Sequence, residues 1–171
     1  MIKIVLTGPE STGKTTLANQ LADYFDASKV PEFARYFIDD LNRPYAEPDL
    51  FEIAKGQLEW EEHQSLITSE VLICDTDLLT IKVWSEFKYG KCDPQILKWI
   101  DELKYDHYLL CGTDIEWDFD SQRENPNDRD VLYEIYKKEL NLYKKPHTEI
   151  AGSEKLRFEK AVDTIHSILK K

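Results

Sequence analysis

The sequence has few cysteines, no long apolar run and little positive charge, and each shortage excludes a class of protein. The three cysteines, Cys74, Cys92 and Cys111, are too scattered for a disulfide framework or a zinc site, both of which need closely spaced pairs. The apolar run at residues 2–6 is short and contains a lysine. It therefore predicts neither a signal peptide nor a membrane span, and we expect a cytoplasmic protein. The net charge of −11 works against nucleic acid as a partner.

The residues that are present suffice for one folded domain. Hydrophobic residues make up 42% of the 171 positions, which is enough material for a core. Short apolar runs alternate with segments of helical periodicity, a pattern typical of parallel strands covered by helices. We predict a single domain over residues 1–171, an α/β three-layer sandwich with a mainly parallel five-stranded sheet. The polar segment at about 113–130 has little periodicity and is predicted to be a lid loop.

Residues 8–15 read GPESTGKT and match the phosphate-loop pattern G-x-x-x-x-G-K-[ST] in full. The match follows a predicted strand and precedes a predicted helix, which is the context that this motif requires. Its backbone N–H groups can surround a phosphate, and the helix amino terminus favours the anion. Lys14 is expected to reach the β- and γ-phosphates, and the Thr15 hydroxyl to bind Mg²⁺. The candidate ATP-binding residues of this segment are Gly8, Pro9, Glu10, Ser11, Thr12, Gly13, Lys14, Thr15 and Thr16.

Acidic residues follow two of the predicted strands. Asp75 comes directly after the strand at 71–74, where a P-loop fold places the acid that holds Mg²⁺ through water. Asp77 is expected either to cap the next helix or to contact a substrate. Glu32 and Arg35 follow the short second strand, at the edge where open α/β sheets bind ligands. There Glu32 could accept a hydroxyl proton and Arg35 could neutralise a transferring phosphoryl group, or both could lie on the solvated first turn of a helix.

Arginine is scarce and concentrated in the sequence. The five arginines are Arg35, Arg43, Arg123, Arg129 and Arg157. Because planar, bidentate phosphate recognition favours arginine over lysine, Arg123 and Arg129 of the lid loop are candidates for contacts to ATP. Both could instead pair with acidic residues of the same loop. Trp117 could cover a planar ligand, and Gln57 on a long predicted helix could either hydrogen-bond a nucleoside or lie exposed.

The motifs taken together resemble a known family. They are GPESTGKT at 8–15, PEFAR at 31–35, DTD at 75–77, VW at 83–84, YG at 89–90 and the WD…R loop at 117–123. This ordered set resembles the ribosylnicotinamide kinase domain of the NadR family, over about residues 1–164. The resemblance implies a P-loop kinase core, ATP and Mg²⁺ as cofactors, and phosphorylation of the 5′-hydroxyl of nicotinamide riboside. Pro31 and the lid segment at 117–123 depart from the usual family pattern.

The resemblance also implies roles by position. Lys14 and Thr15 would serve the phosphates and Mg²⁺, and Asp75 would support the metal. Glu32, Arg35 and Asp77 would surround the riboside. Trp117, Asp118 and Arg123 would belong to the lid. We therefore predict Lys14, Glu32 and Arg123 as catalytic, Thr15 and Asp75 as metal ligands, Arg129 as a further ATP contact, and Glu32, Arg35, Gln57, Asp77, Trp117 and Asp118 as substrate contacts.

Two other classes of function compete with this prediction. The protein could be a kinase that acts on another nucleoside-like substrate. The P-loop is also compatible with a regulatory GTPase or an ATPase. Guanine-binding proteins usually show N-K-x-D after a later strand, where this sequence reads CGTD at 111–114. A ring ATPase would need a helical lid domain, for which 171 residues leave no room. The expected partner is a small nucleoside, with neither nucleic acid nor membrane, and the oligomeric state stays open.

Overall fold

The computed structural model describes residues 1–68 and 70–170. These residues form five parallel strands and seven helices. The strands are β1 (Ile2–Thr7), β2 (Ser28–Val30), β3 (Val71–Asp75), β4 (His107–Cys111) and β5 (His147–Ile150). The helices are α1 (Lys14–Phe25), α2 (Phe33–Asp40), α3 (Asp49–Ile67), α4 (Leu78–Tyr89), α5 (Pro94–Glu102), α6 (Arg129–Leu142) and α7 (Glu154–Leu169). The strand order is β2-β3-β1-β4-β5, and every neighbouring pair is parallel. The predicted five-stranded sheet is confirmed, and it is parallel throughout.

Helices cover both faces of the sheet, because alternate strand residues point to opposite sides. Val5 and Cys74 face one apolar core, which is completed by side chains from α2 to α6. Ile4 and Ile73 face a second core, which is completed by α1 and α7. Since both faces are buried, the central strands β1, β3 and β4 are rich in apolar residues. The predicted three-layer α/β sandwich is confirmed.

The helix ends follow local sequence signals. Asp93 accepts a hydrogen bond from the Gln95 N–H directly before Pro94 begins α5, and Ser153 accepts one from the Leu156 N–H at the start of α7. Among the described residues, no helix is long and apolar enough to cross a lipid bilayer.

The register of the central strands brings the P-loop close to Asp75. Leu6 pairs with Asp75, and the Thr76 N–H donates to the Leu6 carbonyl at 3.0 Å. Gly8 turns the chain out of β1 with a φ of 128°, and a Cβ at this position would lie 2.7 Å from the Cys111 carbonyl oxygen. Only glycine fits this close approach of β1 to the end of β4. The loops after β1, β3 and β4 therefore meet at the carboxyl edge of the sheet.

Candidate active site

The carbonyl oxygens of the P-loop are occupied by donors from the protein. Lys14 Nζ donates to the carbonyls of Gly8 at 3.0 Å and Pro9 at 2.6 Å, and the Thr12 hydroxyl donates to Pro9 at 2.8 Å. Among the described residues, no backbone N–H of residues 9–13 donates to another protein group. A loop with engaged carbonyls and free N–H groups at a helix amino terminus is suited to bind an anion. This is the geometry that the motif predicts.

Two arginines brace this loop from behind. Arg129 donates to the carbonyls of Ser11 at 3.4 Å and Ile115 at 2.6 Å, and Arg157 donates to the Thr12 carbonyl at 3.0 Å. Both side chains are buried. Arg129 was predicted to contact ATP, but it is not among the residues that line the clefts described below, because its guanidinium is used by backbone carbonyls. In this structure it holds the P-loop in shape.

A cleft of about 470 Å³ opens in front of the P-loop. We call it the α4 cleft, because one wall is the exposed face of α4. It is lined by the P-loop, by Glu32 and Arg35, and by residues 122–125 of the segment between β4 and α6 that the sequence predicts as a lid. Its helical walls consist of Val83, Trp84, Phe87 and Lys88 from α4 and Leu132 and Tyr136 from α6. These wall residues are not among the predicted site residues, although the pair at 83–84 belongs to the motifs quoted above.

A second cleft, of about 660 Å³, lies on the other side of the P-loop. We call it the α7 cleft, because it extends from α1 to the loop at 152–154 that begins α7. The two clefts share Ser11, Gly13, Thr16 and Arg123. The P-loop therefore has a cavity on either side, and the side chain of Arg123 lies where the two cavities meet. A phosphate chain on the loop could thus reach from one cleft into the other.

Glu32 and Arg35 lie at the start of α2 and face the α4 cleft. Arg35 Nε lies 3.2 Å from Glu32 Oε2, and Arg35 Nη1 lies 2.7 Å from Asp120 Oδ2 in the lid. Burial raises the pKa of the Glu32 carboxyl, the charge of Lys14 opposes this rise, and the charge of Asp75 adds to it. A carboxylate with a raised pKa that is open to a cleft is a stronger proton acceptor than an ordinary carboxylate.

Gln57 holds the turn that carries Glu32. Its side-chain oxygen accepts from the Phe33 N–H at 2.9 Å, and its Nε2 donates to the Pro31 carbonyl at 3.4 Å. The preceding Gly56 lets Phe33 come close, since a Cβ there would lie 2.2 Å from the Phe33 ring. Gln57 is buried and lines neither cleft, so the predicted substrate contact is not made directly. It positions the backbone on both sides of Glu32 instead.

Asp75 has the features expected of a magnesium ligand. Its side chain is buried, and Asp75 Oδ1 has no hydrogen-bond partner within the described part of the chain. A buried carboxylate oxygen without a partner is costly unless a cation or an ordered water satisfies it. Thr15, the other predicted ligand, lines the α4 cleft. These residues fit Mg²⁺, which usually binds one or two protein groups and completes its coordination with water and phosphate oxygens.

Asp77 lies outside both clefts. It caps α4 by accepting from the Thr80 N–H at 3.4 Å, and it accepts from the Tyr108 hydroxyl at 2.8 Å. Burial raises the pKa of Asp77 to about 6, against the lowering effect of the Tyr108 hydrogen bond. Of the two roles that the sequence left open, the structure favours the helix cap.

The lid residues do not all face the same cleft. Asp118 is exposed, lines the α7 cleft, and its carboxylate lies 3.3 Å from Arg123 Nη1. Trp117 lines neither cleft, and its ring lies 6.0 Å from the Arg129 guanidinium carbon. The predicted cover over a planar ligand is therefore absent from this arrangement, because Trp117 packs toward the arginine that braces the P-loop.

The predicted lid is also attached to the rest of the protein by Glu124, which is not among the predicted site residues. Glu124 donates its N–H to the Glu10 carboxylate, at 3.2 and 3.0 Å from the two oxygens, and its own carboxylate lies 2.8 Å from Lys88 Nζ. No motif marks Glu124, which is one acid among several in an acidic loop. The predicted ATP contact Glu10 thus binds the lid backbone in this structure.

The fold and the P-loop together define a class, the P-loop proteins with a nucleoside-kinase-like fold. A family model described as an AAA domain matches residues 3–157, and the chain belongs to that family. The trifunctional NAD biosynthesis/regulator protein NadR of Escherichia coli (strain K12) is 27% identical over 126 residues, which cover 70% of this chain and 30% of that protein. The protein of the same name from Salmonella typhimurium (strain LT2) matches to the same extent.

Solved structures agree with this assignment. A crystal structure of NadR protein in complex with NR superimposes with a TM-score of 0.85 at 20% identity, covering 99% of this chain and 52% of that one. Thymidylate kinase from Ehrlichia chaffeensis has a TM-score of 0.66 at 14% identity, covering 96% of this chain and 98% of that one. At these identities the likeness establishes the fold. The resemblance to the NadR kinase domain is confirmed, and the chain spans about half of the solved NadR chain and less than a third of the curated relatives.

Proposed function

We propose that this protein is an ATP-dependent kinase that phosphorylates the 5′-hydroxyl of a riboside, nicotinamide riboside by preference, to give the mononucleotide. The observation that carries the proposal is the pair of clefts that meet at the P-loop, with Arg123 in both. A phosphoryl transferase needs a donor and an acceptor on opposite sides of the transferring group, in line with each other. We assign ATP to the α7 cleft and the acceptor to the α4 cleft.

The residues around the P-loop can perform the transfer. Glu32 would take the proton of the attacking hydroxyl, which forms the new bond to phosphorus as the bond to the ADP oxygen breaks. Lys14 and Arg123 would stabilise the negative charge on the transferring group and on the leaving phosphate. Mg²⁺ held by Thr15 and, through water, by Asp75 would neutralise charge on the same phosphates. Gln57 would hold the backbone on both sides of Glu32 and so keep its carboxylate facing the P-loop.

The walls of the α4 cleft support a planar acceptor. Trp84, Phe87 and Tyr136 give this cleft an aromatic surface, which suits the flat face of a nucleoside base or a pyridinium ring. The likeness to a NadR protein solved with NR supports the pyridinium riboside among such acceptors. One observation favours a neutral nucleoside as a second candidate. Lys88 also lines the cleft, and it pairs with Glu124. The part of its positive charge that Glu124 does not neutralise would repel a cationic ring in the cleft.

The direct test is a coupled assay of ADP formation with ATP, Mg²⁺ and a panel that includes nicotinamide riboside and the common neutral nucleosides. We expect turnover with nicotinamide riboside and a product with one added phosphate by mass spectrometry. Consumption of another riboside, with none of nicotinamide riboside, would refute the substrate assignment. ATP hydrolysis that no acceptor stimulates would refute the kinase itself.

The proposed base has its own test. Glu32→Gln removes the proton acceptor while keeping the shape, so we expect kcat to fall by about 100-fold or more, the usual range for a general base. Glu52→Gln on the exposed first turn of α3 is the matched control, because Glu52 lines neither cleft. If Glu32→Gln and Glu52→Gln are equally active, Glu32 is not the base.

A further inference from the structure

Arg123 differs from the other lid residues because the chain is tied down on both sides of it. Three residues earlier, Asp120 forms the 2.7 Å ion pair with Arg35. Immediately after it, the N–H groups of Glu124 and Asn125 donate to the Glu10 carboxylate at about 3.0 Å. A flexible side chain carried by a segment with two anchors can be placed accurately. At the second anchor the Glu124 side chain is held as well.

The Glu124 carboxylate is bound by a tyrosine that lies far away in the sequence. The Tyr45 hydroxyl donates to Glu124 Oε2 at 2.5 Å, while Lys88 Nζ lies 2.8 Å from Glu124 Oε1. The ammonium of Lys88 also donates to the Tyr45 hydroxyl oxygen and lies 4.0 Å from the centre of the Tyr45 ring, as in a cation–π contact. Trp84 Nε1 donates to the Tyr45 hydroxyl oxygen at 3.1 Å. The Tyr45 hydroxyl therefore joins a wall residue of the α4 cleft to the residue next to Arg123.

Tyr45 is suited to this role because its own backbone is fixed. It lies in the segment between α2 and α3, where Arg43 forms two hydrogen bonds to the Asp49 carboxylate at 2.7 and 2.8 Å. The Ala46 N–H donates to the same carboxylate at 2.7 Å. Burial, followed by the Glu124 hydrogen bond, raises the pKa of Tyr45 to about 12, so its hydroxyl keeps the proton that it donates. Tyr45 itself lines neither cleft.

We propose that Tyr45 is a positioning residue for phosphoryl transfer, which sets the place of Arg123 by holding Glu124. The inference rests on the proposed function, since it assumes that Arg123 stabilises the transferring phosphoryl group. Tyr45 lines neither of the clefts that we assign to donor and acceptor, so it would act through Glu124. Its link to Trp84 also connects the acceptor wall with the lid, because two hydrogen bonds in series join Trp84 to Glu124 through the Tyr45 hydroxyl.

The kinetic test compares two tyrosine variants. Tyr45→Phe removes the hydroxyl that binds Glu124 and keeps the aromatic ring against Trp84 and Lys88. We expect kcat to fall about tenfold, since misplacement of a catalytic group by about 1 Å can cost up to about 100-fold, while the KM for ATP stays within about twofold. Tyr36→Phe is the matched control, because Tyr36 is an exposed residue of α2 whose hydroxyl has no hydrogen bond among the described residues. Glu124→Ala removes the acceptor of the Tyr45 hydroxyl and should reproduce the Tyr45→Phe effect.

A double-mutant comparison separates positioning from a general structural role. In an Arg123→Gln background, Tyr45→Phe should have no further effect on kcat, because the group that it places is absent. A further tenfold loss in that background would show that Tyr45 acts by another route and would overturn the inference. A rise in the KM for the acceptor with unchanged kcat would also overturn it.

Amide hydrogen exchange tests the anchor without any turnover. In Tyr45→Phe, the amides of Glu124 and Asn125 should exchange about tenfold faster than in the wild type, and in Tyr36→Phe they should not change. If no riboside is phosphorylated, the proposed function fails, while this exchange difference still supports the anchor. Unchanged exchange in Tyr45→Phe, with or without kinase activity, would overturn the inference.

Discussion

Glu61 allows a quantitative prediction about the pH dependence of stability. Its carboxylate is buried in α3, where the Tyr105 hydroxyl donates to both oxygens at 2.9 and 2.8 Å. Burial raises the pKa of Glu61 from 4.5 to about 7, against the lowering effect of the Tyr105 hydrogen bond. The folded protein therefore binds a proton at this site that the unfolded chain has already lost. Stability contributed by this proton is complete below about pH 4.5 and is lost as the pH rises through about 7.

The size of the effect follows from the two pKa values. At about 1.4 kcal/mol for each pH unit between 4.5 and about 7, ionisation of Glu61 costs the folded state about 3 kcal/mol at higher pH. Glu61→Gln cannot ionise and keeps an oxygen for the Tyr105 hydroxyl. We therefore expect its free energy of unfolding, relative to wild type, to increase by about 2 to 3 kcal/mol between about pH 5 and about pH 8.

Urea denaturation at the two pH values measures this difference. Glu62→Gln, one residue later on the exposed side of α3, is the matched control, since it removes the same charge outside the core. Its free energy of unfolding should follow wild type at both pH values. If Glu61→Gln also runs parallel to wild type, the carboxyl of Glu61 does not ionise at a raised pKa and the reasoning is refuted.

Three further predictions concern the site. Gln57→Leu leaves the Phe33 N–H without its acceptor, so kcat should fall about tenfold with little change in the affinity for an ATP analogue measured by calorimetry; an unchanged kcat would contradict the role of Gln57. Gly8→Ala should weaken that same affinity by more than about tenfold, because the new Cβ meets the Cys111 carbonyl, and normal binding would show that the loop adapts. Asp75→Asn should raise the Mg²⁺ concentration for half-maximal activity about tenfold, whereas an unchanged Mg²⁺ requirement would remove Asp75 from the metal site.

The parts of the fold that follow from local patterns could be predicted from the sequence. β1 and β3 are mostly apolar because both faces are covered, and the helices are periodic because one face of each packs on the sheet. The P-loop was predicted residue by residue, since its backbone conformation depends on a short contiguous motif. Asp75 could also be predicted from a local pattern, because it directly follows the apolar run at 71–74.

The direction in which a polar side chain points could not be predicted. Arg129 and Gln57 both bind backbone groups of other segments. Because nearly every residue type has the same backbone groups, no sequence pattern indicates which segment such a side chain will bind. The walls of the α4 cleft were missed because a helix such as α4 can pack one apolar face and open another to a cavity. A signal was present at Gly56, where a glycine within a helical pattern indicates a close approach of another segment.

The two arginines behind the P-loop also affect the order in which the site can form. The carbonyl of Ser11 is held by a residue 118 positions later, and that of Thr12 by a residue 145 positions later. A ribosome therefore synthesises the nucleotide motif before α6 and α7, and both helices must fold onto the sheet before the loop has its final shape. Binding of a nucleotide would then favour the completed fold over any partly folded chain, so the ligand would act as a selective stabiliser of the finished molecule.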